Sequence, residues 1–129
     1  MSASATHVLV VDDDPFTAEM TGMILEEPEY EIILANSGME ALGILASDPE
    51  VRIVISDLNM PSINGIQLFL ALRERGFSVP FVLLTGDDSP PLRLEYSMDA
   101  IIAKDEDLDV ILPRTVGALL AKADSPSGT

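Results

Sequence analysis

The sequence predicts an α/β domain in which helices cover both faces of a parallel β-sheet. Short apolar runs alternate with segments of helical periodicity five times along the chain. Several of these runs are continuously apolar, which is typical of strands buried on both faces. Such strand–helix alternation favours parallel strands joined by helical crossovers. The length of 129 residues corresponds to about one domain.

Composition narrows the functional class. The 22 Asp and Glu residues outnumber the 7 Lys and Arg residues, which gives a formal net charge of −15 and disfavours nucleic-acid or anionic membrane partners. The absence of Cys excludes disulfides, zinc–thiolate sites and a Cys nucleophile, and a single His excludes a His-rich metal site. No apolar run is long enough to span a bilayer, and the first residues lack signal-peptide features. We therefore expect a cytoplasmic protein.

The first predicted strand, Val8–Val11, leads directly into a helix. Asp14 is its expected N-cap, Pro15 its first residue and Pro28 its stop signal. Four apolar residues recur with helical spacing and share one face of this helix: Phe16, Met20, Met23 and Ile24.

The second strand and helix are bounded by clear local signals. Tyr30–Ala35 is the strand, and Ser37 with Glu40 has the spacing of a capping box. The helix continues to about Ser47, with Asp48 and Pro49 ending it. Its apolar face carries Ala41, Leu42 and Leu45. A third strand, Val51–Ser56, closes with Asp57.

A loop rich in turn-forming residues, 57–65, precedes the third predicted helix, which covers about Ile66–Arg75 and ends at Gly76. Pro80–Leu84 is the fourth strand, Leu92–Met98 leaves room only for a short helix, and Ala100–Ala103 is a brief fifth strand.

A last amphipathic helix completes the predicted fold. Its apolar positions are Leu108, Ile111, Leu112, Val116, Leu119 and Leu120. Pro113 is tolerated if this helix starts near Val110. We expect the domain to span residues 7–122, with residues 1–6 and 123–129 as flexible termini.

Polar residues stand at the ends of four predicted strands. Asp12 and Asp13 follow the first strand, Asp57 the third, Thr85 the fourth and Lys104 the fifth. Because these ends meet at one edge of a parallel sheet, we expect the side chains to lie together. A carboxylate can act as a nucleophile toward phosphorus, and a hard cation relieves the repulsion of clustered carboxylates. A point-charge ammonium suits a phosphoryl oxygen.

These residues resemble the motifs of a known family. The resemblance rests on Val10–Pro15, Asp57–Pro61 with Gly65, Leu84–Gly86 and Lys104. The chain resembles the receiver domains of two-component response regulators, the CheY-like family. The resemblance covers roughly residues 7–122. It implies a flavodoxin-like, doubly wound, five-stranded sheet of order 2-1-3-4-5 with helices on both faces.

The resemblance also implies a role for each site residue. Asp57 is the phosphoacceptor, and Mg²⁺ or Mn²⁺ is held by Asp12, Asp13, Asp57 and the backbone carbonyl of Asn59. Phosphoryl oxygens are bound by Thr85, Lys104 and the backbone of Gly86, and dephosphorylation is tuned by Asn59 and Asp87. The chain is then a signalling domain rather than an enzyme, apart from its own phosphorylation and dephosphorylation. A histidine kinase or a histidine phosphotransfer protein is the phosphodonor, and output passes through contact with an unknown downstream protein.

Two positions depart from the family pattern. Ile101 stands where the family usually has the Tyr or Phe that couples to the Thr. Asp105 replaces the usual Pro after the lysine, so a trans bond is expected between Lys104 and Asp105. The segment before the fifth strand is also short. We therefore expect Gly86–Met98 to be mobile without phosphate and to serve as the switching element.

Two other functions are compatible with parts of the sequence. A pseudo-receiver, which binds a partner without phosphorylation, agrees with the altered fifth strand but leaves the intact set of site residues unexplained. A haloacid-dehalogenase-like hydrolase could use Asp12 and Asp14 as its D-x-D motif. Phe16, which stands where that motif requires Thr or Val, and the short chain disfavour the hydrolase.

Overall fold

The sheet follows the expected topology. A computed structural model describes residues 6–86, 99–104 and 107–124. Its strands are β1 (Thr6–Val11), β2 (Tyr30–Ala35), β3 (Val51–Asp57), β4 (Phe81–Thr85) and β5 (Ala100–Ala103). They form one sheet in the order β2-β1-β3-β4-β5, and every neighbouring pair is parallel. The predicted doubly wound order is therefore confirmed.

Helices cover both faces of this sheet. In the described ranges they are α1 (Pro15–Ile24), α2 (Gly38–Ser47), α3 (Gly65–Glu74) and α4 (Leu108–Asp124). One core packs α2 and α3 against the sheet, and a second core packs α1 and α4 against the opposite face. Neighbouring strand residues such as Leu9 and Val10 belong to different cores, because side chains alternate along a strand.

Side chains cap the first turns of α1 and α2. The Asp14 carboxylate accepts a hydrogen bond from the Phe16 N–H at 3.1 Å, with Pro15 at the first helical position. Ser37 Oγ accepts from the Glu40 N–H at 3.0 Å, whereas the Glu40 carboxylate reaches back to the Asn36 N–H at 2.7 Å. These caps satisfy N–H groups that have no partner within their helix, and they fix where each helix starts.

The expected apolar face of α1 is not its buried face. Phe16 and Met23 are 69% and 71% exposed. Instead, the small residues Ala18, Thr21 and Gly22 face the sheet. A Cβ on Gly22 would lie 3.1 Å from Ile32 Cγ2, so α1 approaches β2 too closely for large side chains between them. The periodicity located the helix but assigned the wrong side to the core.

The last helix, α4, begins earlier than the sequence predicts. The helix starts at Leu108 rather than near Val110, which places Pro113 inside it and leaves the Asp109 carbonyl without the usual helical donor. Burial of Leu112, Val116 and Leu120 against the sheet offsets that loss. Thr6, expected in a terminal segment, pairs with Tyr30 as the first residue of β1.

Some expectations concern residues outside the described ranges. These are the short helix at Leu92–Met98, the mobile segment after Gly86, and the outer parts of the two termini. Within the described ranges, no helix combines the length and apolar character needed to cross a bilayer.

Candidate functional site

Three charged side chains continue one row of core residues past the edge of the sheet. Asp12, Asp57 and Lys104 each stand two residues beyond a residue of the core that packs α1 and α4. Those core residues are Val10, Ile55 and Ile102. Because side chains alternate along strands, all three charges project from the same face of β1, β3 and β5. The alternation that builds the core thus also brings the charges together.

Lys104 lies between two buried carboxylates. Its Nζ is 2.6 Å from Asp57 Oδ1 and 3.6 Å from Asp12 Oδ2. The side chains of Asp57 and Asp12 are only 9% and 5% exposed, whereas that of Lys104 is 26% exposed. A charge-assisted contact of this length is strong where water is largely excluded. One ammonium group therefore faces two carboxylates that are largely shielded from bulk water.

The Asp12 carboxyl group is held in place by the backbone. The backbone N–H of Asp12 donates to the Ala35 carbonyl at 3.0 Å, and Asp12 Oδ1 accepts from the Asp14 N–H at 3.0 Å. Burial raises the pKa of Asp12, the Asp14 N–H and Lys104 oppose that change, and the charges of Asp57 and Asp13 add to it. The ionised form of this group therefore benefits from additional positive charge nearby.

The three carboxylates form a group suited to a cation. One oxygen from each of Asp12, Asp13 and Asp57 lies within 4.8 Å of the other two. Asp13 is exposed, so the group opens to solvent on one side. Hard cations such as Mg²⁺ prefer oxygen ligands, use one or two carboxylates and retain several waters. The donor set fits such an ion, with the exposed side left for water.

The loop after β3 is anchored close to Asp57. The Leu58 N–H donates to the Leu84 carbonyl at 2.9 Å, and the Gly65 N–H donates to the Leu58 carbonyl at 2.9 Å. A Cβ at Gly65 would lie 2.5 Å from both the Asp57 carbonyl oxygen and Leu83 Cδ1. Only glycine fits where α3 begins, so the start of this helix fixes the backbone of Asp57. Asn59 lies exposed in the same loop.

Thr85 and Ile101 occupy neighbouring strands beside Asp57. Thr85 is buried at the end of β4, and its carbonyl accepts from the Lys104 N–H at 2.7 Å. Ile101 is half-buried, pairs in register with Leu83 and packs against the core that contains α2 and α3. Gly86, which follows Thr85, is exposed. The structure thus places Thr85, Gly86 and Lys104 at the edge that carries the carboxylates.

Asp87 and Asp105, which the sequence also singled out, lie outside the described residues. The hydrolase reading required Asp14 to act beside Asp12. Instead, Asp14 caps α1 and accepts a further hydrogen bond from Thr17 Oγ1 at 2.9 Å. Asp14 thus serves its own helix.

One partly buried contact between distant residues was not predicted from the sequence. His7 Nδ1 lies 2.8 Å from Asp48 Oδ2, which joins β1 to the end of α2. No local pattern relates two residues 41 positions apart, so no sequence signal pointed to this pair.

Comparison with known proteins agrees with this geometry. Residues 8–116 match the family described as the response regulator receiver domain. The chain belongs to this receiver family. It is thus a receiver domain of two-component systems, related to response regulators and to the receiver domains of sensor kinases.

Curated relatives include proteins of both kinds. The chain is 37% identical over 91 residues to the transcriptional regulatory protein GlrR of Escherichia coli K12, which covers 70% of this chain and 20% of that protein. It is 34% identical over 107 residues to the sensor histidine kinase RcsC of the same strain, and this match covers 81% of this chain and 11% of that kinase. The response regulator MprA of Mycolicibacterium vanbaalenii is 34% identical over 125 residues, with 95% and 53% coverage. The chain thus spans about a fifth of the first relative.

Solved structures give the same answer. A Francisella response regulator receiver domain superposes with a TM-score of 0.81 at 27% identity, over 92% of this chain and 98% of that one. TrrA of Thermotoga maritima, solved in complex with Mg²⁺ and BeF, has a TM-score of 0.78 at 30% identity, over 88% and 98% of the two chains.

Proposed function

We propose that this receiver domain works in the cytoplasm as a phosphoacceptor that takes a phosphoryl group onto Asp57. One observation carries the proposal, namely that the Asp57 carboxylate lies against Lys104 at the edge that also holds Asp12 and Asp13. Phosphoryl transfer requires alignment and charge neutralisation more than covalent chemistry from the protein. A nucleophilic carboxylate beside an ammonium group and a cation site meets both requirements.

The charge balance supports a role for a divalent cation. Among the described residues, the three carboxylates and one ammonium group of this site leave two uncompensated negative charges, which would repel an incoming phosphoryl group. Asp12, Asp13, Asp57 and the backbone carbonyl of Asn59 would hold Mg²⁺ or Mn²⁺. When bound, that ion would neutralise these charges and polarise the phosphoryl oxygens. The Mg²⁺ in the solved TrrA complex agrees with this choice of ion.

The proposed transfer forms an O–P bond on Asp57 and breaks a P–N bond on the phosphodonor. A carboxylate oxygen of Asp57 attacks the phosphorus of a phosphohistidine on a histidine kinase or a phosphotransfer protein. The new O–P bond forms as the P–N bond breaks, and the bonding pair returns to the imidazole nitrogen. The imidazole leaves in its neutral form when its other ring nitrogen carries a proton. Asp57 then holds an acyl phosphate, which water later hydrolyses.

The remaining residues of the edge receive supporting roles in this proposal. Lys104 exchanges its contact with the Asp57 carboxylate for a phosphoryl oxygen, and Thr85 and the backbone of Gly86 bind the others. Asn59, exposed beside the acceptor, and Asp87 would set how readily water reaches the acyl phosphate. Ile101 has no hydroxyl to present in one state and hide in the other, so we propose that the segment after Gly86 carries the signal to a downstream protein.

Mass spectrometry with a small-molecule phosphodonor tests the proposal. The wild-type chain, incubated with phosphoramidate and Mg²⁺, is expected to gain the mass of one phosphoryl group, and EDTA should prevent the gain. Asp57→Asn should gain nothing. The matched control is Asp14→Asn, which removes a nearby carboxylate but retains a good N-cap, and it should be labelled like the wild type.

Two results would overturn the phosphoacceptor role. Wild-type protein that is folded and Mg²⁺-loaded but never labelled would favour a pseudo-receiver that binds its partner without phosphorylation. Labelling that persists in Asp57→Asn would assign the acceptor to another residue.

A further inference from the structure

A groove lies on the flank of the sheet, two strands away from Asp57. It runs between α1 and the edge strand β2 and has a volume of about 250 Å³. Its lining residues are Glu19, Gly22, Met23, Glu26, Ile32 and Leu34. Its apolar lining residues are Met23, Ile32 and Leu34, and its two carboxylates are those of Glu19, in the middle of α1, and Glu26, two residues beyond the end of α1. This combination differs from the phosphoacceptor edge, where the carboxylates converge on a single ammonium group.

The apolar part of this groove is open to solvent. Met23 is 71% exposed, the neighbouring Met20 is 47% exposed and Leu34 is 37% exposed. Gly22 lets α1 lie close to Ile32, which lines the groove together with Met23 and Leu34. Methionine side chains are flexible and polarizable, and they suit surfaces that adapt to a partner. Such a patch on a small domain indicates an interaction surface.

The charge around the groove selects its partner. Residues 1–51 contain 11 of the 22 acidic residues and none of the seven Lys and Arg residues. The segment of the chain that forms α1 and β2 therefore contributes no Lys or Arg side chain that could pair with Glu19 or Glu26. A second copy would bring the same acidic surface against this one. A segment with Lys or Arg beside apolar residues complements both features of the groove.

The spacing of the two carboxylates defines the partner further. Glu19 lies in α1, and Glu26 lies in the turn that follows, where its N–H donates to the Met23 carbonyl. The two carboxylates are therefore seven residues apart in sequence, which corresponds to roughly 10 Å at the rise of a helix, and Met23 lies between them. A helix that lies along α1 would place two basic residues, also seven apart, over these carboxylates. A Leu, Ile or Met three or four residues after the first basic residue would then meet Met23.

We propose that the α1–β2 groove binds a basic amphipathic helix of a partner protein, through the carboxylates of Glu19 and Glu26 and the apolar side chain of Met23. The site is separate from the phosphoacceptor edge and does not depend on the function proposed for Asp57. A domain with both sites can hold a basic partner while its acceptor remains accessible.

A designed peptide tests this site without knowledge of the natural partner. The probe is an alanine-based helix with Lys at positions i and i+7 and Leu at i+3 and i+4. NMR titration should shift the methyl signals of Met23, Ile32 and Leu34, and salt should weaken binding. Removing two exposed ion pairs with Glu19→Gln/Glu26→Gln should weaken binding by about five- to thirtyfold. Binding should persist in Asp57→Asn.

Matched controls separate this site from general attraction to an acidic protein. Glu50→Gln/Glu74→Gln makes the same change in charge at two exposed positions elsewhere and should leave affinity within about twofold. A peptide with Ser in place of both Leu residues should bind much more weakly. Equal weakening by the two double variants, equal affinity for the two peptides, or self-association that shifts the same methyl signals without peptide would each overturn the proposal.

Discussion

Replacing Lys104 with Met tests how the carboxylate cluster is held together. The change removes the ammonium group that lies 2.6 Å from Asp57 and 3.6 Å from Asp12, but keeps a side chain of similar length. The two carboxylates would then face each other and Asp13 without the ammonium group that the described residues place beside them. We expect a less stable domain in the absence of divalent cations.

The distances set the size of the effect. At an effective dielectric of about 20, unit charges 2.6 and 3.6 Å apart attract by about 6 and 5 kcal/mol. Desolvation of the charges offsets much of this attraction, and breaking a buried ion pair typically costs about 3–5 kcal/mol. Because the Lys104 side chain is 26% exposed, we expect a smaller net loss of about 2–4 kcal/mol in the free energy of unfolding.

Magnesium provides the second half of the test. Lys104 and a divalent cation neutralise the same carboxylates, so Lys104→Met should bind Mg²⁺ more tightly than the wild type does. A ligand at about 100 times its dissociation constant stabilises a fold by about 2.7 kcal/mol. Saturating Mg²⁺ should therefore narrow the gap between the variant and the wild type.

Urea unfolding in EDTA and in Mg²⁺, followed by circular dichroism, measures both effects. The matched control is Lys122→Met, an exposed position in α4, where we expect a loss of at most about 1 kcal/mol and no change in Mg²⁺ affinity. The reasoning is refuted if Lys104→Met is as stable as the wild type in EDTA, or if Mg²⁺ leaves the gap unchanged.

Three further predictions use the same unfolding assay. Gly65→Ala should lower the free energy of unfolding by about 1–3 kcal/mol, because the new Cβ meets the Asp57 carbonyl oxygen. Gly43→Ala, which has open space around it, should instead stabilise α2 by about 0.5–1 kcal/mol. Equal effects of the two variants would contradict the close approach of Gly65 to Asp57. The hydrogen bond from His7 lowers the pKa of Asp48, so the contact stabilises the fold fully above the ordinary pKa of 3.8 and is lost as the pH falls through the lower pKa of the folded state. Asp48→Asn should make the free energy of unfolding less dependent on pH in this acid range. A pH dependence equal to that of the wild type would count against the contact. Asp13→Ala should weaken Mg²⁺ binding without lowering stability in EDTA, because it removes an exposed like charge from the cluster; unaltered Mg²⁺ affinity would exclude Asp13 as a ligand.

Local chemistry explains why so much of this fold could be predicted from the sequence. The bounds of β2 and β5 and the caps Asp14 and Ser37 follow from short apolar runs and from hydrogen bonds within a few residues. The edge that carries Asp57 was also predictable, because parallel strands place their carboxyl ends together. The roles of the residues at that edge came from the family resemblance, and they stay predictions until they are tested.

The tertiary structure alone decided which side of α1 is buried and which distant residues meet. Phe16, Met20 and Met23 of α1 face solvent, because the helix approaches β2 so closely that even a Cβ at position 22 would crowd the Ile32 side chain. The pairing of His7 with Asp48 depends on how α2 returns to the sheet. The sequence by itself determined the elements and the buried face of α2, whose predicted apolar residues Ala41, Leu42 and Leu45 are buried. The buried face of α1 was decided by the tertiary structure, because periodicity within one helix carries no information about the space that a neighbouring strand leaves beside it.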